Sequence, residues 1–458
     1  MIVDKHNASA MVMELGEQFA KVKNPEFVFP SYELYALAPK QEQGVAILKA
    51  VVMDMDGTTT TTEEICLHAL EYMVRKMGDR MDKTLWEGLD KVVDYPNVIG
   101  NSTTKHVEYL LGQYGDTFKK EAIVTAFLDA VVWTLVCGKD QKRKQEVEQN
   151  LLKLGIGQMA KDQALLQLVS QEEYSREDAN VYFVSTYAGK LEDFSDDMLV
   201  AMGIDIYYQR YHELLEMIRL NQGDEVQKEV FGHVEKGQHL IEPMPGVGVL
   251  LLMMKGWLGE EIKNLLPELI ETYNKKRGVS FSDTDINYTT NRLIELSCQF
   301  EQQPLKVGLV TSSIFYEADI VIKEVFAVLR EWIMESAVSE KRKQFIAEQL
   351  FDYRNVYDSF VTASDSNEIR LKPHRDLYSI ALHQLGIHPN DFDKVAGFED
   401  SQSGTVAMRA AGIGLSIAVP FAQTAGHDLS AATFICKGGV PEVLLEEQLF
   451  IRNEVLQS

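Results

Sequence analysis

Asp54 and Asp56 stand two residues apart where the apolar run 50–53 gives out, and Gly57 with five threonines follows them. Four consecutive apolar residues suit a strand covered on both faces of a parallel sheet. Side chains two apart on an extended chain share a face, so both carboxylates are expected together at the strand's end. Like charges so placed raise each other's cost unless a cation or a proton lies between them. The pair is a liability in a structural core and an asset in a metal-assisted active site.

Three other stretches end an expected strand or follow one closely: Thr311-Ser312-Ser313, Lys372-Pro373 and Glu399-Asp400-Ser401. In a parallel sheet the carboxyl ends of neighbouring strands converge on one crevice. The assembled set holds two carboxylates on one strand, a hydroxyl, an ammonium and a second acidic pair. Oxygen ligands suit Mg2+. With a lysine and a hydroxyl added, the set meets the needs of a phosphoryl group: positive charge for its oxygens, a hydrogen-bond donor, and a carboxylate able to attack phosphorus.

The elements that must position these residues are split along the chain. Strand signals occur at 50–54 and then beyond residue 300, at 307–311, around Phe360, at 394–400 and at 414–419, with helical segments between them. Strands alternating with helices imply a parallel α/β sheet. Between the first strand and the rest, helical periodicity dominates. Ile65, Ala69, Leu70, Met73, Val74 and Met77 mark one helix face, and Thr61 with Glu64 fits a capping box. Further helices are expected at 128–137 and 206–220. Such a block is too long for an ordinary connection. It reads as an inserted domain at 66–239, within an α/β core of 49–65 and 240–458. Residues 1–48 are expected to be an extension packed on the core, and helical insertions are expected at about 256–303 and 326–350. The threonine tract and residues 239–248 are then the two linkers, the threonines with no chemistry of their own.

"DMDGT", "VTSS", "KP" and "GFEDSQSGTVAMRAAG" stand in the order of the four motifs of the haloacid dehalogenase superfamily. The chain resembles most its branch of β-phosphoglucomutase-type phosphatases and mutases. "EPMPGVGVLL" resembles that branch's return from cap to core, and "VIGNSTTKHVEYLLGQYG" its cap loop and following helix. The resemblance implies a Rossmann-like core with an enlarged all-helical cap. It makes Asp54 the nucleophile that forms an aspartyl-phosphate, and Asp56 the group that protonates the leaving oxygen and then activates water. It gives Thr311 a phosphoryl oxygen and lets Lys372 offset the charge on Asp54 and the phosphate. Asp400 would bind Mg2+ with Asp54 and the backbone carbonyl of Asp56, and Glu399 would stand in or just outside that shell. Gly57 would allow the turn that aims backbone N–H groups at phosphate, with Thr58 and Ser312 beside it on the substrate side. Asn101 and Lys105, in the cap loop, would face the substrate. The sequence departs from the family pattern in two places: Arg375 stands where a second proline is usual, and no aspartate stands near Thr61.

Bulk properties set the bounds. A chain of 458 residues with 45% hydrophobic and 25% charged residues fits a soluble protein of two domains. The longest apolar stretch, "VGVLLLMM", is far too short to span a bilayer. The first residues lack a basic-then-apolar signal pattern, so a cytoplasmic location is expected. Four scattered cysteines give neither metal spacing nor a case for disulfides. A net charge of −24 argues against nucleic acid or anionic membrane as a partner. It does not argue against a small phosphorylated metabolite, because a bound cation and a lysine can set the local field against the global one. Nothing in the sequence sets an oligomeric state.

The expected function is a Mg2+-dependent phosphatase for a small phosphomonoester, with the helical cap closing to exclude water and supply specificity. Dehalogenase chemistry needs no acid for a leaving oxygen, and Asp56 is present. A sugar-phosphate mutase is the nearest alternative, and a non-catalytic binding protein on the same core is another. The mutases this chain resembles carry a histidine at the place of Cys66 and an arginine at the place of Thr103. Neither Cys66 nor Thr103 supplies a positive charge, and His68 lies on another helix face. Hydrolysis is therefore expected over phosphoryl relocation.

Overall fold

The computed structural model describes residues 2–452 apart from 26–27, 100–101, 172–174, 235–238, 279–280, 282, 422–423 and 425. The chain forms two compact units, one of residues 1–62 with 241–458 and the other of residues 63–240.

The first unit is built on a six-stranded parallel sheet. A hairpin of β1 (Phe19–Lys23) and β2 (Tyr32–Ala36) precedes it. The sheet strands are β3 (Ala50–Asp54), β4 (Lys306–Val310), β5 (Ser359–Val361), β6 (Val395–Glu399), β7 (Leu415–Ala418) and β8 (Phe434–Ile435). Their spatial order is β5-β4-β3-β6-β7-β8. Every residue of β3 is buried, as an apolar run flanked by parallel strands on both sides requires. The chain leaves β3 for β4 and β5 on one side and returns to β6 on the other, so the strand order reverses beside β3. A crevice for ligands opens at such a switch point, beyond the carboxyl ends of the strands. Asp54 ends β3, Thr311 follows β4 and Glu399 ends β6.

The strands expected from apolar runs are present. The hairpin and β8 lie outside those expectations. Of the ten residues in the two hairpin strands only Val22 and Tyr35 are buried, packed against Ala410, so these strands carry almost no periodic apolar signal. β8 has two residues, below any useful pattern length. Between the expected linkers, Thr61 N–H donates to the Glu242 carbonyl and Met244 N–H to the Thr59 carbonyl, both at 2.9 Å. The helix after the threonines starts at Glu63, and the Thr61 hydroxyl bonds Glu242 instead of forming the expected cap. The two helical insertions are helices Leu266–Arg277 and Asp283–Gln302, and helices Phe315–Glu335 and Glu340–Gln349. The second insertion thus begins within a helix already running from Phe315.

Among the described residues, the regular elements of the second unit are all helices. The helix Glu63–Met77 buries the expected face of Ile65, Ala69, Leu70, Met73, Val74 and Met77. The helix Lys120–Val136 is buried along most of its length and carries Asp129 into the interior. Arg176 forks onto Asp129 with Nε and Nη2 at 2.7 and 2.9 Å, and Asn180 Nδ2 adds a third bond at 2.9 Å. Burial alone would raise the Asp129 carboxyl, but these donors hold it below its ordinary range. A chain of ion pairs runs on from Arg176 through Glu213 and Arg210 to Glu229, which also meets His68. Among the described residues no helix is long and apolar enough to cross a membrane.

Candidate active site

Asp54 leaves β3 at the point where the backbone begins a tight turn. Thr59 and Thr60 N–H groups close back on the Met55 carbonyl at 2.8 and 2.9 Å, and Gly57 N–H on the Thr60 carbonyl at 3.0 Å. Gly57 takes φ +78°, and a Cβ there would lie 2.5 Å from Phe421 Cε1 and 2.8 Å from Asp400 Oδ2. Both conformation and space restrict the position to glycine.

The turn gives the two aspartates different partners. Asp54 Oδ1 accepts from Lys372 Nζ. Asp56 Oδ1 accepts from the Thr62 hydroxyl at 2.5 Å, and its Oδ2 from Thr311 Oγ1 at 3.0 Å and Ser313 Oγ at 3.2 Å. The strand alternation that would put both on one face stops at Asp54. Lys372 also donates to Glu399 Oε1 at 2.7 Å and stands over the Tyr378 ring. Burial would lower the Lys372 ammonium's pKa, but Asp54 and Glu399 hold it above the usual lysine range. Asp54 is pushed well above the usual carboxylate range by burial first and by Glu399 second, against the pull of Lys372. Three carboxylates and one ammonium in a dry pocket leave net negative charge, which favours a further cation.

Glu399 is fully buried and holds five donors. Its Oε1 takes Lys372 and the Tyr378 hydroxyl at 2.7 Å each, and its Oε2 takes Asp400 N–H, Ser401 N–H and Ser401 Oγ at 3.1, 3.3 and 3.0 Å. Ser401 Oγ in turn caps the helix Gln402–Ala410 by accepting from Gly404 N–H. Glu399 is thus the hinge that fixes Lys372 on one side and the Asp400 loop on the other. Asp54, Glu399 and Asp400 each offer an oxygen within 4.8 Å of the others. An all-oxygen set of buried carboxylates fits a hard divalent cation such as Mg2+. With Glu399 engaged by its five donors, Asp54 and Asp400 are the members placed to ligate.

The remaining expected residues fall as follows. Thr58 is buried, with its hydroxyl 3.4 Å from Asp400 Oδ1. Ser312 is exposed, and its neighbour Ser313 is the one that reaches Asp56. Lys105 is exposed on the first turn of the helix Thr103–Tyr114 in the helical unit. Asn101 lies outside the described residues. His374, two residues beyond Lys372, is buried against Tyr35.

The threonine tract requires a correction. Thr58, Thr59, Thr60 and Thr62 are buried, and their hydroxyls bond Asp400, the Asp54 carbonyl, the Met55 carbonyl and Asp56. A run of short β-branched hydroxyls directly after Asp-Gly was the available signal, and its regularity made it read as a spacer. Sequence reasoning also passed over Tyr378 and Gly404. A Cβ on Gly404 would lie 1.7 Å from Glu399 Oε1. Gly404→Ala, normally favourable in a helix, should here displace Glu399 and release Lys372, costing about 1–3 kcal/mol as overpacking does. Thermal unfolding beside Gly112→Ala, where nothing lies within 4 Å of the new Cβ, checks this. An alanine at 404 as stable as the one at 112 would remove Glu399 from its place as hinge.

A parallel core, a helical unit inserted after the first strand of its sheet, and an aspartate pair set against a lysine and a second acidic pair form the arrangement that the resemblance to the haloacid dehalogenase superfamily implies. A scan against protein-family models and a search of curated proteins each find no match. Among solved structures, the chain is similar to CbbY from Rhodobacter sphaeroides in complex with phosphate, at 11% identity and TM-score 0.37, covering 87% of this chain and 96% of that one. It is similar to β-phosphoglucomutase from Clostridium difficile at 13% and 0.36, covering 88% and 99%. It is also similar to a HAD family hydrolase from Deinococcus radiodurans with bound phosphate and sodium at 13% and 0.34, covering 88% and 98%. The functional reading rests on this chain's own side chains.

Proposed function

We propose that this protein is a Mg2+-dependent phosphatase that hydrolyses a small phosphomonoester through an aspartyl-phosphate on Asp54. The observation that carries the reading is Asp54 buried against Lys372 while Asp56, two residues on, is held apart by Thr62, Thr311 and Ser313. One carboxylate is thereby assigned to attack and the other to proton transfer.

In the first half-reaction an Asp54 carboxylate oxygen bonds to phosphorus as the ester P–O bond breaks. Asp56, in its acid form, gives its proton to the departing alkoxide. In the second, Asp56 takes a proton from water as the water oxygen attacks phosphorus, and the Asp54–phosphorus bond breaks to release inorganic phosphate. Lys372 balances the charge that Asp54 and the phosphoryl oxygens bring into the pocket. Asp54 and Asp400 would hold Mg2+, which would supply electrostatic stabilisation of the phosphoryl oxygens. The donors on Asp56 fix where its proton is given and taken.

Hydrolysis is favoured over relocation within a sugar because the positions of the expected second phosphate clamp carry no cation. Thr103 meets the Tyr208 hydroxyl at 3.1 Å, and His68 is paired with Glu229. The test is phosphate release from a panel of phosphate esters, with Mg2+ and with EDTA, and product analysis on a hexose 1-phosphate with catalytic bisphosphate. Release abolished by EDTA and exceeding isomerisation is expected. Turnover unchanged by chelation would remove the metal. Isomerised hexose 6-phosphate forming faster than free phosphate would make the protein a mutase. No turnover and no Mg2+ binding would favour a binding protein on this core.

A further inference from the structure

The N-terminal hairpin holds the loop that carries Lys372. Glu33 and Tyr35 lie two apart on β2 and reach the two flanks of that loop. Arg370 Nη1 bridges both Glu33 oxygens at 2.8 and 2.9 Å, while its Nε and Nη2 grip both oxygens of Asp376 at 2.9 Å each. Arg370 and Asp376 thus tie the ends of a loop that has Lys372 inside it. On the far flank, the Tyr35 hydroxyl sits 2.8 Å from His374 Nδ1 and donates to Glu33 Oε2 at 2.7 Å. With the phenol proton committed to a carboxylate, its oxygen accepts from His374 Nδ1–H. Burial, helped by Arg370, holds the imidazole below its ordinary pKa, and burial with Glu33 pushes the phenol up to about 12. Both are neutral at physiological pH, and the link does not switch within that range.

The hairpin is itself anchored to the catalytic core. Val22 and Tyr35 pack on Ala410, and the buried Arg409 guanidinium bonds the Ala38 carbonyl, Gln18 and the Ala431 carbonyl. The helix Gln402–Ala410 that bears both residues is the one Ser401 caps beneath Asp400. One element therefore joins the lysine loop to the acidic loop.

We propose that Glu33 and Tyr35 are positioning residues that set the Lys372 ammonium between Asp54 and Glu399. The first unit would then depend on its N-terminal extension for the placement of its lysine, and loosening the clamp would lower turnover more than substrate binding. The kinetic part of this proposal rests on the phosphatase reading; the placement of Lys372 does not.

The experiment compares the full-length wild type with Glu33→Gln, Tyr35→Phe, the double variant and Leu34→Ala, the residue between them in sequence, which is 55% exposed on the opposite face of the strand. Acetylation of Lys372 by acetic anhydride, followed by peptide mass spectrometry, reads the lysine directly. Glu33→Gln and Tyr35→Phe are each expected to speed its labelling by about fivefold or more as the loop opens locally, with Leu34→Ala unchanged. On a turned-over ester, kcat should fall about tenfold in each with KM within about twofold. The double variant should fall by less than the product of the singles, as members of one network do. Unchanged Lys372 labelling in the double variant overturns the clamp whatever the activity. Faster labelling in a protein whose wild type releases no phosphate overturns the phosphatase reading and leaves the clamp standing.

Discussion

Asp54→Asn is expected to lower phosphate release by at least about a thousandfold while leaving the fold intact or firmer. The loss follows from removing the attacking oxygen's charge, and deleting a covalent nucleophile costs orders of magnitude in turnover. The stability side is the sharper expectation. Asp54 is raised well above the carboxylate range by burial and by Glu399, with Asp400 and Asp56 adding to it. An amide of the same shape removes one of the crowded charges, and Lys372 keeps Glu399 at 2.7 Å. The thermal midpoint should therefore hold or rise, the usual exchange between stability and activity at a strained site. A midpoint far below wild type would mean that the Asp54–Lys372 pair supports the fold, and an active variant would displace Asp54 as nucleophile.

Lys372→Met should do the opposite to stability. The lysine is 7% exposed, bonds Asp54 and Glu399, and is the cation these two buried carboxylates share. Methionine fills the space and leaves both carboxylates unpaired, at a cost of about 3–5 kcal/mol for breaking a buried pair. Turnover should be lost with it. The pH dependence has a definite sign. Burial lowers the ammonium pKa and the two carboxylates more than reverse this, so the folded value lies above the unfolded one. Its contribution is complete below the unfolded value of about 10.4 and is lost only as pH rises through the folded one. Wild type minus Lys372→Met, followed by denaturant unfolding across pH 6 to about 10, should hold or grow as pH rises, because the ammonium stays charged while the variant's unpaired carboxylates cost more once ionised. A difference that shrinks in that window would mean the ammonium is not held by its two carboxylates.

Much of the site was legible in the chain because its parts are punctuated. A short apolar run followed by acid, glycine and hydroxyl is a strand end that must turn, and the parallel sheet brings such ends together. Hence Asp54, Thr311 and Glu399 could be placed at neighbouring strand ends from residues 50–54, 307–311 and 394–400 alone. An inserted helical domain was legible at 66–239 for the same reason: helical periodicity takes over after the threonine tract, and strand signals return only later in the chain.

Tertiary structure decided what each polar group faces. That Asp54 takes Lys372 while Asp56 takes Thr62, Thr311 and Ser313 depends on a turn whose closure uses Gly57 and the threonine backbone. That Glu399 serves five donors depends on contacts with Lys372 and Tyr378, 27 and 21 residues away along the chain. The hairpin's grip on Arg370 and His374 spans 337 and 339 residues. Periodicity reports which side of an element is apolar, and so it fixes elements and their buried faces. A hydrogen bond between side chains hundreds of residues apart leaves no periodic trace, because either partner alone is also an ordinary surface residue; only the packed sheet, by bringing both to the same few ångströms, makes them a site.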